Sequence, residues 1–153
     1  MVEARMPTIR LDVQYDGTDF HGFQKQPALR TVAGELEKCC AILCNEPVRI
    51  IGAGRTDAGV HAVHQVVSFT TSAKRGTDAF VRGLNSLLSP DISILSAAIV
   101  PDCFHARRSA RARSYKYFLV DHNVKLALLQ RYACVFLRAP MACRPHQGPV
   151  HNA

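Results

Sequence analysis

The stretch Ile9–Asp16, "IRLDVQYD", sets Ile9, Leu11, Val13 and Tyr15 against Arg10, Asp12, Gln14 and Asp16. Strict alternation of apolar and polar residues is the period of a strand with one buried face. Asp16-Gly17 then ends the strand with a turn. After the loop "TDFHGFQKQPALR", Thr31 is placed to cap a helix whose Val32, Leu36, Cys39, Cys40 and Leu43 share one side. Pro47 closes the connection, and "VRIIGAG" (48–54) and "HQVVSFTT" (64–71) read as two further strands.

Asp78 is expected to open a second helix through "AFVRGLNSLL", which Pro90 stops. "ISILSAAIV" (92–100) is the next strand and "SYKYFLVD" (114–121) a fifth. Strand, helix, strand, strand, helix, strand is the ferredoxin-like βαββαβ arrangement of the α+β class, a mostly antiparallel sheet with helices on one face. The fifth strand is expected to extend that sheet. Residues 8–136 form this unit. Residues 137–153, broken by Pro140, Pro145 and Pro149, read as an irregular tail.

With 48% hydrophobic and 20% charged residues in 153, the chain has enough apolar material for one domain with a core. No run of about 18 apolar residues and no signal-peptide pattern is present, so the expectation is a cytoplasmic protein without a membrane partner. Three of the six cysteines, Cys39, Cys40 and Cys44, crowd the first helix, and Cys103, Cys134 and Cys143 are scattered. They read as reduced structural thiols. There is no CxxC, and His61 and His64 have no Cys or carboxylate partner at zinc spacing, so no metal is expected. The formal charge of +7 suits a polyanion such as RNA or DNA, and equally a merely basic surface.

Between the second and third strands runs "GAGRTDAGVH", Gly52–His61. A phosphate-binding loop would end in Gly-Lys-Ser/Thr, and a dinucleotide fingerprint would place glycine where Asp57 stands. Both readings fail. A carboxylate on a loop held by a rigid sheet is a usual station for a catalytic group. Gly52 and Gly54 would let a bulky substrate approach the backbone, and Gly59 permits positive φ. Arg55 is close enough in sequence to clamp a phosphate or to keep Asp57 ionised, as a carboxylate nucleophile must be. The alternative is a plain turn in which Asp57 bonds nearby backbone N–H groups.

"YDGTDFHGFQKQP", "GAGRTDAGVHAVHQVVSF", "RGLNSLL" and "FHARRSARARSYKYFL", in that order, closely resemble the TruA family of tRNA pseudouridine synthases. The resemblance runs from about Ile9 to Phe136. It implies isomerisation of uridine to pseudouridine in the anticodon arm of tRNA, by a homodimer that uses neither metal nor organic cofactor. It implies further that Asp57 is the catalytic aspartate, that Arg55 assists flipping of the target nucleotide, and that Tyr115 stacks near the target base. By itself, the alternation of Tyr115, Tyr117 and Leu119 would make Tyr115 a core residue. Arg107, Arg108, Arg111, Arg113 and Lys116, with Lys25 in the first loop, are candidate contacts to the RNA backbone. Phe20 and Phe23 either touch RNA or staple their loop to the core.

The resemblance covers the first half of a fold about twice as long. It implies a second half carrying an arginine partner for the aspartate and the apolar wall of the base pocket. The expectation is a shortened reading of a longer gene, weakly active or inactive by itself. The alternative is a half-domain that binds tRNA and does no chemistry.

Overall fold

The alternating strand lies at the heart of a four-stranded sheet. In the computed structural model, which describes residues 6–137, β1 (Thr8–Tyr15) is flanked by β3 (Ala62–Thr70) and β4 (Ile92–Val100). β2 (Ile51–Gly52) adds to the outside of β3, giving the order β2-β3-β1-β4 with every neighbour antiparallel. That is the ferredoxin-like order. Ile9, Leu11, Val13 and Tyr15 turn to the side covered by α1 (Val32–Cys44) and α2 (Thr77–Leu87) and form one core with Leu36, Cys40, Phe69, Phe80 and Leu84. Phe69 and Phe80 meet edge to face across that core, 5.8 Å between ring centroids.

Thr31 caps α1 as expected, its side chain accepting from the Gly34 N–H at 3.3 Å, and Asn45 ends it in the left-handed conformation. The second helix begins earlier than its sequence suggests. Gly76 is the cap residue, without a side-chain bond, and Asp78 sits inside the first turn, where its charge favours the helix N-terminus. Asn85 clamps α2 to β4 with both ends of its amide: Nδ2 donates to the Ile94 carbonyl and Oδ1 accepts from the Ile94 N–H.

β2 is shorter than "VRIIGAG" implied. The Ile50 N–H is taken at 3.1 Å by Glu37 Oε1 of α1, so the ladder cannot start before Ile51. The fifth strand also departs from expectation. Contacts divide the chain into one unit ending at Arg113 and another beginning at Ser114. In the latter, β5 (Leu119–His122) pairs in parallel with β6 (Cys134–Leu137) in a sheet of their own, so β5 does not extend the first sheet. Alternation marks a strand and its faces but does not name its partner, and residues 123–133 supply the long crossover a parallel pair needs.

Among the described residues Cys39, Cys40 and Cys44 are buried free thiols, and Cys103 and Cys134 are exposed free thiols. Burial pushes the Cys40 thiol far above its ordinary pKa. Among the same residues no cluster of three or more His, Cys, Asp or Glu could hold a metal, and no helix is long and apolar enough to cross a membrane. The tail and Cys143 lie outside the described residues.

Candidate active site

The Asp57 loop leaves β2 and is held from both sides. On the sheet side, the Ala53 N–H donates to the Val66 carbonyl at 2.8 Å and Gln65 Nε2 donates to the Gly54 carbonyl at 2.8 Å. On the other side stands the loop that follows β1. The Phe23 N–H donates to the Thr56 carbonyl, the Gly59 N–H donates to the Phe20 carbonyl, and the Tyr15 hydroxyl bonds the Thr56 hydroxyl. Phe20 and Phe23 are buried, so they are staples of this loop. Gly17 allows the approach: a Cβ there would fall 2.0 Å from the Val60 carbonyl oxygen.

Asp57 opens a tight turn. Its carbonyl accepts from the Val60 N–H at 3.2 Å, and Gly59, at the third position, has φ +79. This is the signature of a type II turn, which needs positive φ there. The side chain takes no part in it. Asp57 is exposed, and its carboxylate has no hydrogen-bond or ion-pair partner among the described residues. The plain-turn reading, in which the carboxylate bonds local N–H groups, therefore loses its basis. Arg55 is likewise exposed and forms no ion pair with Asp57.

The two glycines before Arg55 serve the protein itself. Gly52 makes room for the Phe23 ring, 2.5 Å from where a Cβ would stand, and Gly54 lies under the Arg113 side chain. His61, at the far end of the motif, brings Nδ1 to 3.0 Å from Asp16 and 3.1 Å from the Gly17 N–H. Arg30 braces the first loop. Its guanidinium lies 4.1 Å from the Phe20 ring centroid and makes a two-point pair with Asp91 at 2.8 and 3.0 Å. Burial pushes the Asp91 carboxyl up, but the hydrogen bonds from Arg30 and Ser89 and the Arg30 charge outweigh it and leave it below the usual range.

The remaining candidates are spread along the surface. Lys25 pairs with Glu37 at 2.8 Å. Arg107, Arg108 and Arg111 are exposed on a segment pinned by buried Ala106, whose N–H donates to Ser68 Oγ. Tyr115, in the second unit, is 63% exposed and is not a core residue. Tyr15, Thr56, Gln65 and Arg30 carry the local architecture and were not singled out by sequence. The one available signal was Tyr15, the last apolar residue of the alternation, directly before an Asp-Gly turn. A shallow depression of about 410 Å³ beside Met6, Ile9, Ala73 and Ile99 shares no residue with the Asp57 loop.

A family profile described as tRNA pseudouridine synthase matches residues 12–107, most of the chain and all of this loop architecture. The chain belongs to the TruA family of tRNA pseudouridine synthases. It is 50% identical over 126 residues to tRNA pseudouridine synthase A of Coxiella burnetii, covering 82% of this chain and 48% of that protein. The namesake from Caldicellulosiruptor bescii is 47% identical over 128 residues, covering 84% and 52%, and that from Escherichia coli 42% over 140 residues, covering 92% and 52%. The chain thus spans about half the length of the curated relatives it matches. Within this TruA-family half, both of the first two sequence motifs meet at Asp57.

Proposed function

We propose that this chain carries the uridine-isomerising carboxylate of a tRNA pseudouridine synthase, and that Asp57 is that group. The observation that carries the reading is an exposed carboxylate, without a partner among the described residues, on a loop whose neighbouring residues are tied on both sides. In the reaction the bond from uracil N1 to the ribose breaks, a bond from C5 to the same carbon forms, the C5 hydrogen leaves as a proton and N1 takes one up. Asp57 either adds to the base or helps to remove a proton from the sugar. Both routes require the nucleotide to leave the stack. In this reading Arg55 assists that flipping, and Tyr115 stacks on the base, a contact worth about 1–3 kcal/mol in single-strand binders. Lys25, Arg107, Arg108 and Arg111 meet the tRNA phosphates.

The same family resemblance carries the assembly into a homodimer in the cytoplasm, without metal or organic cofactor. Sedimentation or light scattering of the purified chain tests the dimer. The reaction itself is tested by release of tritium from tRNA labelled at uracil C5, comparing the chain with Asp57→Ala. Release that disappears in the variant supports the isomerase. A folded chain that binds tRNA and releases none is the second reading, a binding half-domain. One observation favours it: Asp57 is exposed and lines neither the depression beside Met6 and Ile99 nor the one beside Thr77 and Leu95.

A further inference from the structure

Arg113 belongs to the run of basic residues that sequence assigns to the RNA backbone, yet its guanidinium is turned toward the protein. Nε and Nη2 both donate to the Ala53 carbonyl, at 3.0 and 2.6 Å, and Nη2 also reaches the Arg107 carbonyl at 3.4 Å. Its side chain lies over Gly54, with Cδ and Nε 3.5 Å from where a Cβ would stand. By contrast Arg107, Arg108 and Arg111 have no side-chain hydrogen bond or ion pair among the described residues.

We propose that Arg113 is a positioning residue for the Asp57 loop and is not a phosphate contact. The proposal rests on the reading of Asp57 as the working carboxylate. Ala53 is the hinge between β2 and that loop, four residues before Asp57. Its N–H is fixed to β3 through the Val66 carbonyl, and the next carbonyl, Gly54, is fixed by Gln65. Thr56 and Gly59 are fixed by the loop after β1. The Ala53 carbonyl completes the set, and its holder comes from a third place in the fold, the segment after β4. A charged donor makes each bond roughly twice as strong as a neutral one. Two donors in one rigid plane fix the direction of the carbonyl, and with it the peptide that leads toward Arg55. Lysine, a single point charge on a flexible stem, cannot reproduce that geometry.

The test uses Arg113→Ala, Arg113→Lys and, as a phosphate-contact reference, Arg111→Ala. Arg113 is exposed, so all three chains should keep the cooperative unfolding transition of the parent. For the two Arg113 variants the expected result is unchanged tRNA affinity and an unchanged dependence of log K on log salt. Their kcat for tritium release falls at least about tenfold, the loss of a charge-assisted hydrogen bond, and lysine does not restore it. Arg111→Ala should instead flatten the salt slope by about 0.7–0.9. The proposal is overturned if Arg113→Ala flattens the slope equally and Arg113→Lys restores both affinity and turnover. If the parent chain releases no tritium, the isomerase reading fails by itself, and hydrogen exchange then decides the role of Arg113. The Phe23 and Val60 amides, bonded to the Thr56 and Asp57 carbonyls, should exchange about tenfold faster in Arg113→Ala. Unchanged exchange there would overturn the proposal.

Discussion

The Tyr15 hydroxyl lies 2.8 Å from the Thr56 hydroxyl, joining the last residue of β1 to the residue before Asp57. Tyr15 is 3% exposed and its ring packs near Phe23, so the hydroxyl is delivered to Thr56 by a core residue with little freedom to move. The central strand of the sheet thus reaches the loop through one side chain. Two motifs that are far apart in the chain become a single site by this bond and its backbone neighbours.

Tyr15→Phe keeps the ring and removes only the hydroxyl. The expected cost is about 1 kcal/mol of stability, since the partly exposed Thr56 can turn to water instead. Urea unfolding of Tyr15→Phe, Thr56→Val and the double variant should give a coupling energy of about 0.5–1.5 kcal/mol. Strictly additive costs would mean that the two hydroxyls do not bond in solution.

Asp57→Asn should separate folding from chemistry. The carboxylate is exposed and has no partner among the described residues, so its replacement by a near-isosteric amide should shift stability by no more than about 0.5 kcal/mol. On the proposed reading of Asp57 as the working carboxylate, tritium release from C5-labelled tRNA should vanish, because an amide is neither the nucleophile nor the base that the reaction requires. A stability loss above about 2 kcal/mol would instead show that the side chain holds the turn together.

Two glycines of the site should respond differently to alanine. At Gly17 the added Cβ meets the Val60 backbone at 2.0 Å, and backbone held by several bonds cannot step aside. The expected cost is about 2–4 kcal/mol. At Gly59 nothing lies within 4 Å, so only the positive φ resists the change, at about 1 kcal/mol. Denaturant midpoints of Gly17→Ala and Gly59→Ala check the order. Equal costs would mean that the two loops do not touch at Val60.

Where a residue's role is set by its own period, it was legible. Alternation from Ile9 placed β1 and its buried face, and Thr31 announced α1. The positive φ at Gly59 was readable from a short motif because a type II turn dictates its own glycine. What escaped depends on partners distant in sequence. Glu37 shortens β2 by taking the Ile50 N–H, and nothing near Ile50 announces it. Arg113 and Gln65 hold carbonyls of the Asp57 loop, yet a carbonyl leaves no mark in a sequence. Tyr115 alternates like a core residue but stands exposed, since its alternation records a strand that the structure begins only at Leu119.

The Arg30–Asp91 pair gives the first loop an acid-sensitive brace. The Asp91 carboxyl is held below its unfolded value, so the unfolded chain binds its proton first as pH falls. The contribution of the pair is therefore fully present above the unfolded aspartate value of about 3.9 and is lost as pH drops through the lower folded value. The Arg30 and Asp91 side chains are 34% and 26% exposed, so water screens the pair and its worth at neutral pH should be only about 1 kcal/mol. Asp91→Asn should cost that amount at pH 7 and progressively less below pH 4, the two stability curves converging in acid. Urea unfolding of both chains from pH 7 to pH 3 measures the convergence. Curves that stay parallel throughout would show that the pair contributes nothing through its charge, and that Arg30 braces Phe20 by stacking alone.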